Sequence, residues 1–148
     1  MLQNLEQILL EKQIRPTAMR LLVLDFLLKQ KAAVSVNDVE AGFLRSDRIT
    51  LYRTLRTFEE KGLVHDIKDG TGSVKYALCP QSCSHQQHAD LHVHFHCRQC
   101  SETYCLPDSQ IPDIDLPDFF VTEEVNLIIK GICAACRINT ISLQDKEP

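Results

Sequence analysis

Residues 46–64 read SDRITLYRTLRTFEEKGLV and predict one amphipathic helix with a defined beginning and end. Its apolar residues recur at helical spacing and form the face that would be buried: Leu51, Leu55 and Phe58. Ser46 or Asp47 can cap the first turn, since both side chains can accept hydrogen bonds from free backbone amides. Gly62 fits the end of the helix. The charged residues of this stretch therefore lie largely on the other faces.

The segments around this helix predict a winged helix-turn-helix. Apolar stripes indicate three preceding helices, in residues 2–10, 21–28 and 36–43. Thr17 and Ser35 are placed to cap the second and the third of them. Residues 63–68 and 73–78 come next as two short strands, which the turn sequence DGTG joins. A leading helix, three further helices and a β-hairpin make up the predicted fold of this half.

The second half of the chain predicts a smaller unit built on strands. Residues 91–96 alternate between polar and apolar side chains, as in a half-buried strand. The sequence CRQC fits a hairpin turn, and residues 102–106 return as the second strand. Three prolines divide residues 107–117 into loop or short helix: Pro107, Pro112 and Pro117. Residues 119–129 have the composition of a strand, and CAAC comes after them.

The polar stretch 79–90, rich in Cys, His and Gln, separates two predicted domains, residues 1–80 and 81–148. Charge differs between the halves. Residues 1–78 hold 12 Lys and Arg against 10 Asp and Glu, whereas residues 79–148 hold 4 against 10, which together give the net charge of −4. Only the first half could therefore approach a polyanion without strong repulsion. The sequence predicts an α+β protein of 148 residues.

What the seven cysteines indicate depends on the compartment in which the protein works. The chain has no apolar run of 18 residues and no basic-then-apolar leader, so we expect no membrane association, no secretion and a cytoplasmic protein. Cytosolic thiols stay reduced, and cysteines at close spacing there are more often metal ligands or reactive groups than disulfides. The odd number also argues against a complete disulfide framework.

The outer faces of the helix at residues 46–64 suit the major groove of double-stranded DNA. Its polar and basic residues there are Arg48, Thr50, Tyr52, Arg53 and Arg56. Arginine offers paired donors to guanine or phosphate, and an aromatic ring can pack on a thymine methyl group. Arg15 and Arg20 lie near the start of the second helix and could hold adjacent phosphates. The alternative is an ordinary solvated helix face.

Two C-x-x-C pairs predict a zinc site. Cys97 with Cys100 and Cys133 with Cys136 offer four thiolates, which match the tetrahedral ligand set of structural zinc. A closed set of four leaves no open position, so such a site is structural. The alternatives are a redox dithiol, an iron–sulfur cluster and buried free cysteines.

Three histidines on alternate positions precede the first cysteine pair. His92, His94 and His96 would share one face of the predicted strand. Neighbouring imidazoles of such a set lie about 7 Å apart, near enough to converge on one ion. His92 with His94 therefore predicts a second metal site, against the alternative of a solvated strand.

Four stretches together resemble the ferric uptake regulator family of bacterial metal-responsive repressors. They are RPTAMRLLVLDFL (residues 15–27), ITLYRTLRTFEEKGLV (49–64), HVHFHCRQC (92–100) and CAAC (133–136), and the resemblance spans roughly residues 4–137. It implies an N-terminal winged-helix DNA-binding domain, an α/β dimerisation domain, and a homodimer on palindromic operators. It also implies base and phosphate contacts from Tyr52 and Arg53, supported by Arg15.

The resemblance is strongest to the zinc uptake regulator branch and implies a regulatory site of four ligands: His65, Cys79, His92 and His94. Three imidazoles and a thiolate suit Zn²⁺, with Fe²⁺ and Mn²⁺ as alternatives. The iron and peroxide sensors differ at two positions, which here carry Ala33 and Cys105. A third site of the family needs another ligand where this chain has Val93, so that site is expected to be absent. Alternative ligands are Cys83, His85, His88, His96 and Cys105.

We therefore expect a zinc-responsive transcriptional repressor that binds operator DNA as a homodimer when it carries metal. An iron or peroxide sensor of the same family is one alternative. A zinc storage or trafficking module is another, and it would not need the helix that carries Arg and Tyr. A zinc enzyme is disfavoured, because the chain has no H-E-x-x-H motif and no evident Ser, His, Asp constellation, and we expect no small-molecule substrate.

Overall fold

The computed structural model describes residues 2–78, 92–123 and 125–144. The chain divides into two compact units, residues 1–90 and 91–148. The predicted boundary between residues 80 and 81 lies outside the described residues and stays a prediction. Within the described residues, no helix is long and apolar enough to cross a membrane.

The first unit is a winged helix, as predicted. Its elements are α1 (Leu2–Glu11), α2 (Ala18–Leu28), β1 (Val34–Ser35), α3 (Val36–Ala41), α4 (Arg48–Glu60), β2 (Val64–Lys68) and β3 (Val74–Leu78). The strands form an antiparallel sheet in the order β1-β3-β2. We call residues 64–78, the β2–β3 hairpin, the wing. The short strand β1 was not predicted, because two residues carry no periodic signal.

Apolar faces of the helices form the core of this unit. The fully buried side chains include Leu9 of α1, Val23 and Leu24 of α2, and Leu51, Leu55 and Phe58 of α4. All of them except Val23 belong to the predicted stripes, while three other leucines of those stripes are exposed: Leu2, Leu10 and Leu28. Burial of each such side chain contributes roughly 1.5–3 kcal/mol relative to exposure. The faces predicted to be apolar are therefore the ones that hold α1, α2 and α4 together.

Side-chain caps fix where the helices begin. Thr17 Oγ1 accepts the Arg20 amide at 3.4 Å. Ser35 and Asp38 form a reciprocal capping box at the start of α3. Asp47 accepts the amides of Ile49 and Thr50, which shows that Asp47 rather than Ser46 caps α4. These caps place the first turn of α4 at the surface.

The second unit is a three-stranded sheet followed by a helix. Its elements are β4 (His92–Cys97), β5 (Thr103–Gln110), β6 (Ile128–Gly131) and α5 (Ala134–Gln144). The strand order is β5-β4-β6, with β4 antiparallel to β5 and parallel to β6. With the winged helix, this makes the predicted α+β fold.

Three details of the second unit correct the sequence expectation. β5 runs on through Pro107 to Gln110, which is possible because β5 is an edge strand and a proline there loses no ladder bond on its open side. The predicted strand at 119–129 is wrong for most of its length, since β6 begins only at Ile128. Helix α5 was missed, because residues 134–144 hold only three large apolar side chains, too few to show a clear apolar stripe: Ile138, Ile141 and Leu143.

Candidate metal centre and DNA-facing surface

The four paired cysteines converge at one end of the second unit. Cys97 ends β4, Cys100 lies in the following turn, Cys133 immediately precedes α5 and Cys136 lies in its first turn. All four sulfurs lie within 4.8 Å of one another. Cys97, Cys133 and Cys136 are buried and Cys100 is exposed. The convergence predicted from the two C-x-x-C pairs is confirmed.

The spacing of these sulfurs fits a tetrahedral zinc ion. Cys97 Sγ lies 3.9 Å from Cys136 Sγ, and Cys100 Sγ lies 3.8 Å from Cys133 Sγ. A tetrahedron of sulfurs about 2.3 Å from a central ion has edges of about 3.8 Å. A disulfide would bring two sulfurs to about 2.05 Å. The set therefore has the dimensions of a four-thiolate metal site and not of two disulfides.

Backbone amides around the site favour the thiolate form of two cysteines. The Cys100 amide lowers the pKa of Cys97 to about 6, together with the Cys133 amide, whose nitrogen lies 3.3 Å from Cys97 Sγ. The Cys136 amide lowers the pKa of Cys133. The neighbouring Cys133 thiol instead raises the pKa of Cys136 to about 12. Amide donors of this kind stabilise sulfur in the deprotonated state in which it binds metal.

The sheet holds the two cysteine pairs at this spacing. The Arg98 amide donates to Gly131 O at 2.8 Å, and this bond ties the first cysteine turn to the end of β6. A Cβ atom on Gly131 would lie 3.1 Å from Phe95 Cζ, so a side chain at this position would crowd the β4–β6 contact. The parallel pairing of β4 with β6 therefore brings Cys97 next to the segment that leads into Cys133.

A second set of candidate ligands lies on the β4–β5 ladder. His94 is buried and pairs directly with Cys105, and their ligand atoms lie within 4.8 Å of each other. His96 is also buried, and its Nδ1 lies 3.0 Å from Thr103 Oγ1. An imidazole and a thiol on one face of a sheet form half of a tetrahedral site.

The structure describes only some of the other predicted ligands. His92 lies beyond a register irregularity between His92 and Val93, so the regular alternation assumed for His92 and His94 is interrupted there. His65 is a buried residue of β2. The remaining candidates lie outside the described residues: Cys79, Cys83, His85 and His88.

Helix α4 presents polar side chains opposite its buried face. Tyr52 is about half exposed, at 48%, and Arg53 is exposed. Thr50 Oγ1 donates to Asp47 Oδ2 at 2.8 Å, and this hydroxyl lowers the pKa of Asp47. The cap is thus ionised at neutral pH. Tyr52 and Arg53 remain on the surface that was predicted to face DNA.

Two other arginines predicted to contact DNA have partners within the protein. Arg48 Nη1 donates to Asn37 Oδ1 at 2.6 Å and to Glu40 Oε2 at 2.7 Å, which ties α4 to α3. Arg56 lies 3.7 Å from carboxylate oxygens of both Glu59 and Glu60. Arg48 would have to exchange these bonds in order to reach a phosphate or a base.

The two arginines predicted to contact phosphates around the start of α2 are hydrogen-bonded to each other. Arg20 Nη1 donates to the Arg15 carbonyl at 2.8 Å, and both residues belong to the segment around the Thr17 cap. This bond orders the loop between α1 and α2.

A groove of about 700 Å³ separates the outer face of α4 from the wing, and we call it the wing groove. Arg48, Tyr52 and Arg56 line its helix side. Lys68 and Ser73 line its wing side. One concave surface of the first unit therefore joins α4 to the hairpin.

The model of the ferric uptake regulator family matches residues 11–118. The chain belongs to the ferric uptake regulator family. Solved structures of ferric uptake regulators share its fold. A zinc uptake regulator in complex with zinc and DNA is 23% identical, with 95% of each chain covered and a TM-score of 0.63. Comparison with curated protein sequences gives no match.

Two further ferric uptake regulators have the same fold. That of Vibrio cholerae is 19% identical, with a TM-score of 0.56 over 86% of this chain and 98% of its own. That of Helicobacter pylori, described with three functional metal binding sites, is 12% identical, with a TM-score of 0.56 over 92% of this chain and 91% of its own.

Within this ferric uptake regulator fold, one candidate ligand stands out that the sequence had placed only among the alternatives. Cys105 lies opposite His94, and the signal for it was available in the sequence. Counting outward from the CRQC turn pairs residue 96 with 103, and hence residue 94 with 105. Which side chains bind metal or DNA remains a prediction.

Proposed function

We propose that this member of the ferric uptake regulator family is a zinc-responsive transcriptional repressor and not an enzyme. In this proposal it binds palindromic operator DNA as a homodimer when it carries metal. The proposal rests on one observation. A winged helix that exposes Tyr52 and Arg53 occurs in one chain with two sets of candidate ligands, the closed four-cysteine set and the separate His94–Cys105 pair.

The four-cysteine site has a structural role in this proposal. Cys97, Cys100, Cys133 and Cys136 would hold one Zn²⁺, which when bound supplies a tetrahedral crosslink between β4 and α5. Because all four positions of such an ion are taken by protein, the site offers no place for a substrate or for water. The sulfur spacing of 3.8–3.9 Å supports this assignment.

The second site is regulatory in this proposal. His94 and Cys105 contribute from the β4–β5 ladder, and the family resemblance adds His65 and Cys79 from the DNA-binding half, with His92 as the alternative to Cys105. A set of imidazoles and thiolates suits Zn²⁺ better than Mn²⁺ or Mg²⁺, which prefer oxygen ligands. The related regulator solved with zinc and DNA is consistent with this choice of metal.

Exposed apolar side chains of the second unit support the homodimer. They include Ile114, Leu116, Phe119, Phe120, Val121, Ile132 and Ile138. Phe119 is fully exposed and Val121 is 85% exposed. Five of them fall within residues 114–121, and apolar side chains exposed so close together in the chain are candidates for a surface that a partner covers. A second copy of this unit is the partner that a regulator of palindromic DNA requires.

Metal would act on DNA binding through the relative orientation of the two halves. Ligands drawn from both halves favour the orientation in which they can all reach one ion. The population then shifts toward that orientation, by no more than the difference in metal affinity between the two orientations. A difference of about 3 kcal/mol corresponds to more than a hundredfold change in DNA affinity. Zinc would thus be a corepressor, and scarcity of zinc would relieve repression.

The test is DNA binding as a function of buffered free metal. Duplexes bound by the zinc-loaded protein are first selected from a randomised library, and their affinity is then titrated against free Zn²⁺, Fe²⁺ and Mn²⁺. We expect tight binding at the lowest free concentration with Zn²⁺. Selective activation by Fe²⁺ would support an iron sensor instead. Metal binding without selection of any duplex would support a storage or trafficking module.

A further inference from the structure

The wing contains a buried ion pair that the proposed function does not explain. The side chain of Asp69 is fully buried and that of Lys75 is 12% exposed, and Lys75 Nζ lies 3.0 Å from Asp69 Oδ2. The other carboxylate oxygen of Asp69 accepts the Thr71 amide at 3.0 Å and the Thr71 hydroxyl. A carboxylate withdrawn from water is costly unless such partners surround it. The charge of Asp69 is therefore compensated inside the wing itself.

These bonds fix the tip of the wing in one conformation. Asp69 joins the end of β2 to the tip through Thr71 and to β3 through Lys75. Gly70 and Gly72 adopt φ values of 83° and 86°, which side chains rarely tolerate. The turn is thus held at both strands and at its centre, unlike a hairpin whose tip moves freely.

The fixed tip borders the wing groove. Lys68, immediately before Asp69, is exposed and lines the groove together with Ser73. Arg48 and Arg56 line the facing wall on α4. Eight residues of α-helix separate these two arginines, a rise of about 12 Å, so basic side chains extend along the wall for more than one nucleotide. Glu59 and Asp66 also line the groove. The two arginines are paired with Glu40, Glu59 and Glu60, so they reach a phosphate only by exchanging those partners.

We propose that Asp69 is a positioning residue for DNA binding, which holds Lys68 and the tip of the wing against the sugar-phosphate backbone beside the base-reading helix. This inference rests on the proposed function, because it requires that α4 occupies the major groove. Lys75 neutralises Asp69 inside the wing, which leaves Lys68 as the cation that the tip presents to a phosphate. Ser73 adds a hydroxyl donor of the kind that contacts phosphate oxygens.

The experiment is a double-mutant cycle on the full-length, zinc-loaded protein. The variants are Lys68→Ala, Asp69→Asn and both together, with Lys31→Ala as the matched control, an exposed lysine outside the groove. The probe is a duplex selected by the wild-type protein, and affinity is measured over a range of salt concentrations. Melting of each variant is followed in parallel. If Asp69→Asn does not fold, Thr71→Val replaces it, since that change removes only the hydroxyl donor to Asp69.

We expect Lys68→Ala to weaken binding on the order of fivefold and to reduce the slope of log K against log[salt] by about 0.9, the value for one lost phosphate contact. Asp69→Asn should weaken binding to a similar degree, and the double variant should lose little more than either single variant. That lack of additivity distinguishes positioning from simple destabilisation, since a lower folded fraction would multiply with the loss at Lys68.

Several results would overturn the inference. Unchanged affinity and salt slope in Lys68→Ala would remove the wing from the DNA contact. Losses that add in the double variant would give Asp69 a purely structural role. If Tyr52→Ala abolishes binding while the wing variants bind normally, the proposed function stands and only this inference fails. If the wild-type protein selects no duplex, both fail together.

Discussion

At the scale of single residues, Cys97 connects the proposed zinc site to the fold. It is buried at the end of β4, its sulfur lies 3.9 Å from Cys136 Sγ, and it accepts the Cys133 amide. Of the residues that the structure describes, two partly buried apolar side chains pack against the cysteine cluster, Phe95 and Tyr104. Three of the four paired cysteines therefore form the buried centre at this end of the unit: Cys97, Cys133 and Cys136.

Cys97→Ser should remove the tightly bound zinc and unfold the second unit. Structural zinc contributes roughly 10–16 kcal/mol of apparent binding free energy in small peptides, and this free energy is also folding free energy. Zinc content and the near-ultraviolet circular dichroism of purified protein measure the effect. Cys105→Ser is the control, because it leaves the four-cysteine set complete. A Cys97→Ser protein that stays folded and dimeric would argue against a structural zinc.

Tyr52 and Arg53 should carry most of the sequence recognition. Each single change to alanine should cost on the order of 1–3 kcal/mol of operator affinity, the usual worth of one base contact. Zinc content and dimerisation should not change, because both side chains lie on the surface of α4. Fluorescence anisotropy with the selected duplex measures the affinity, and Lys31→Ala is again the control. If both variants bind like the wild type, the DNA surface lies elsewhere.

At the scale of elements, the short helix α3 depends on its cap. It has six residues, too few to be stable from helix propensity alone. Ser35 Oγ accepts the Asp38 amide at 3.2 Å, and the Asp38 carboxylate accepts the Ser35 amide at 2.8 Å. Arg48 then ties α3 to α4 through Asn37 and Glu40. The angle between α3 and α4, the two helices of the helix-turn-helix, thus depends on these polar contacts as well as on the buried side chain of Val39.

Ser35→Ala should lower the free energy of unfolding of the winged helix by about 1 kcal/mol. For a unit of this size, that corresponds to a decrease in melting temperature of about 4–8 °C. Differential scanning calorimetry measures it. Ser73→Ala, an exposed serine of the wing, should change stability by less than about 0.5 kcal/mol. Equal effects of the two changes would mean that the capping box contributes nothing.

At the scale of the whole molecule, the proposed regulation depends on which ligands complete the proposed second metal site. The β4–β5 ladder places His94 opposite Cys105. These two positions supply at most two of the four ligands that a tetrahedral zinc site needs. The other ligands have to come from elsewhere in the chain, and for this we propose His65 and Cys79. In that proposal, the response to metal would depend on residues from both halves of the chain.

Cys105→Ser and Cys79→Ser should each abolish the zinc dependence of DNA binding while the four-cysteine zinc stays bound. A hydroxyl is a far weaker zinc ligand than a thiolate, so metal should no longer distinguish the DNA-competent orientation. The measurement is operator affinity against buffered free Zn²⁺, with metal content determined in parallel. If Cys79→Ser responds at the wild-type zinc concentration, Cys79 is not a ligand, and Cys83, His85 and His88 become the candidates.

The sequence by itself determined the winged helix and the four-cysteine cluster. Both have signals that are local in the chain: the spacing of Leu51, Leu55 and Phe58, a cap at Ser46 or Asp47, and two C-x-x-C pairs. Such patterns can be recognised without any knowledge of distant contacts, because each lies within one helix face or one turn.

Only the tertiary structure decided the features that depend on contacts between distant segments. Helix α5 has weak propensity, and it begins between Cys133 and Cys136, whose sulfurs converge with those of the β4 turn. Residues 119–127 have strand composition but do not form a strand within the described residues, and β6 forms only where Ile128 can pair with His94. In the sequence Asp69 is typical of a turn, and only the folded structure shows that it is buried and paired with Lys75. The environment of a side chain is set by the residues that pack against it, and those residues come from segments far apart in the sequence.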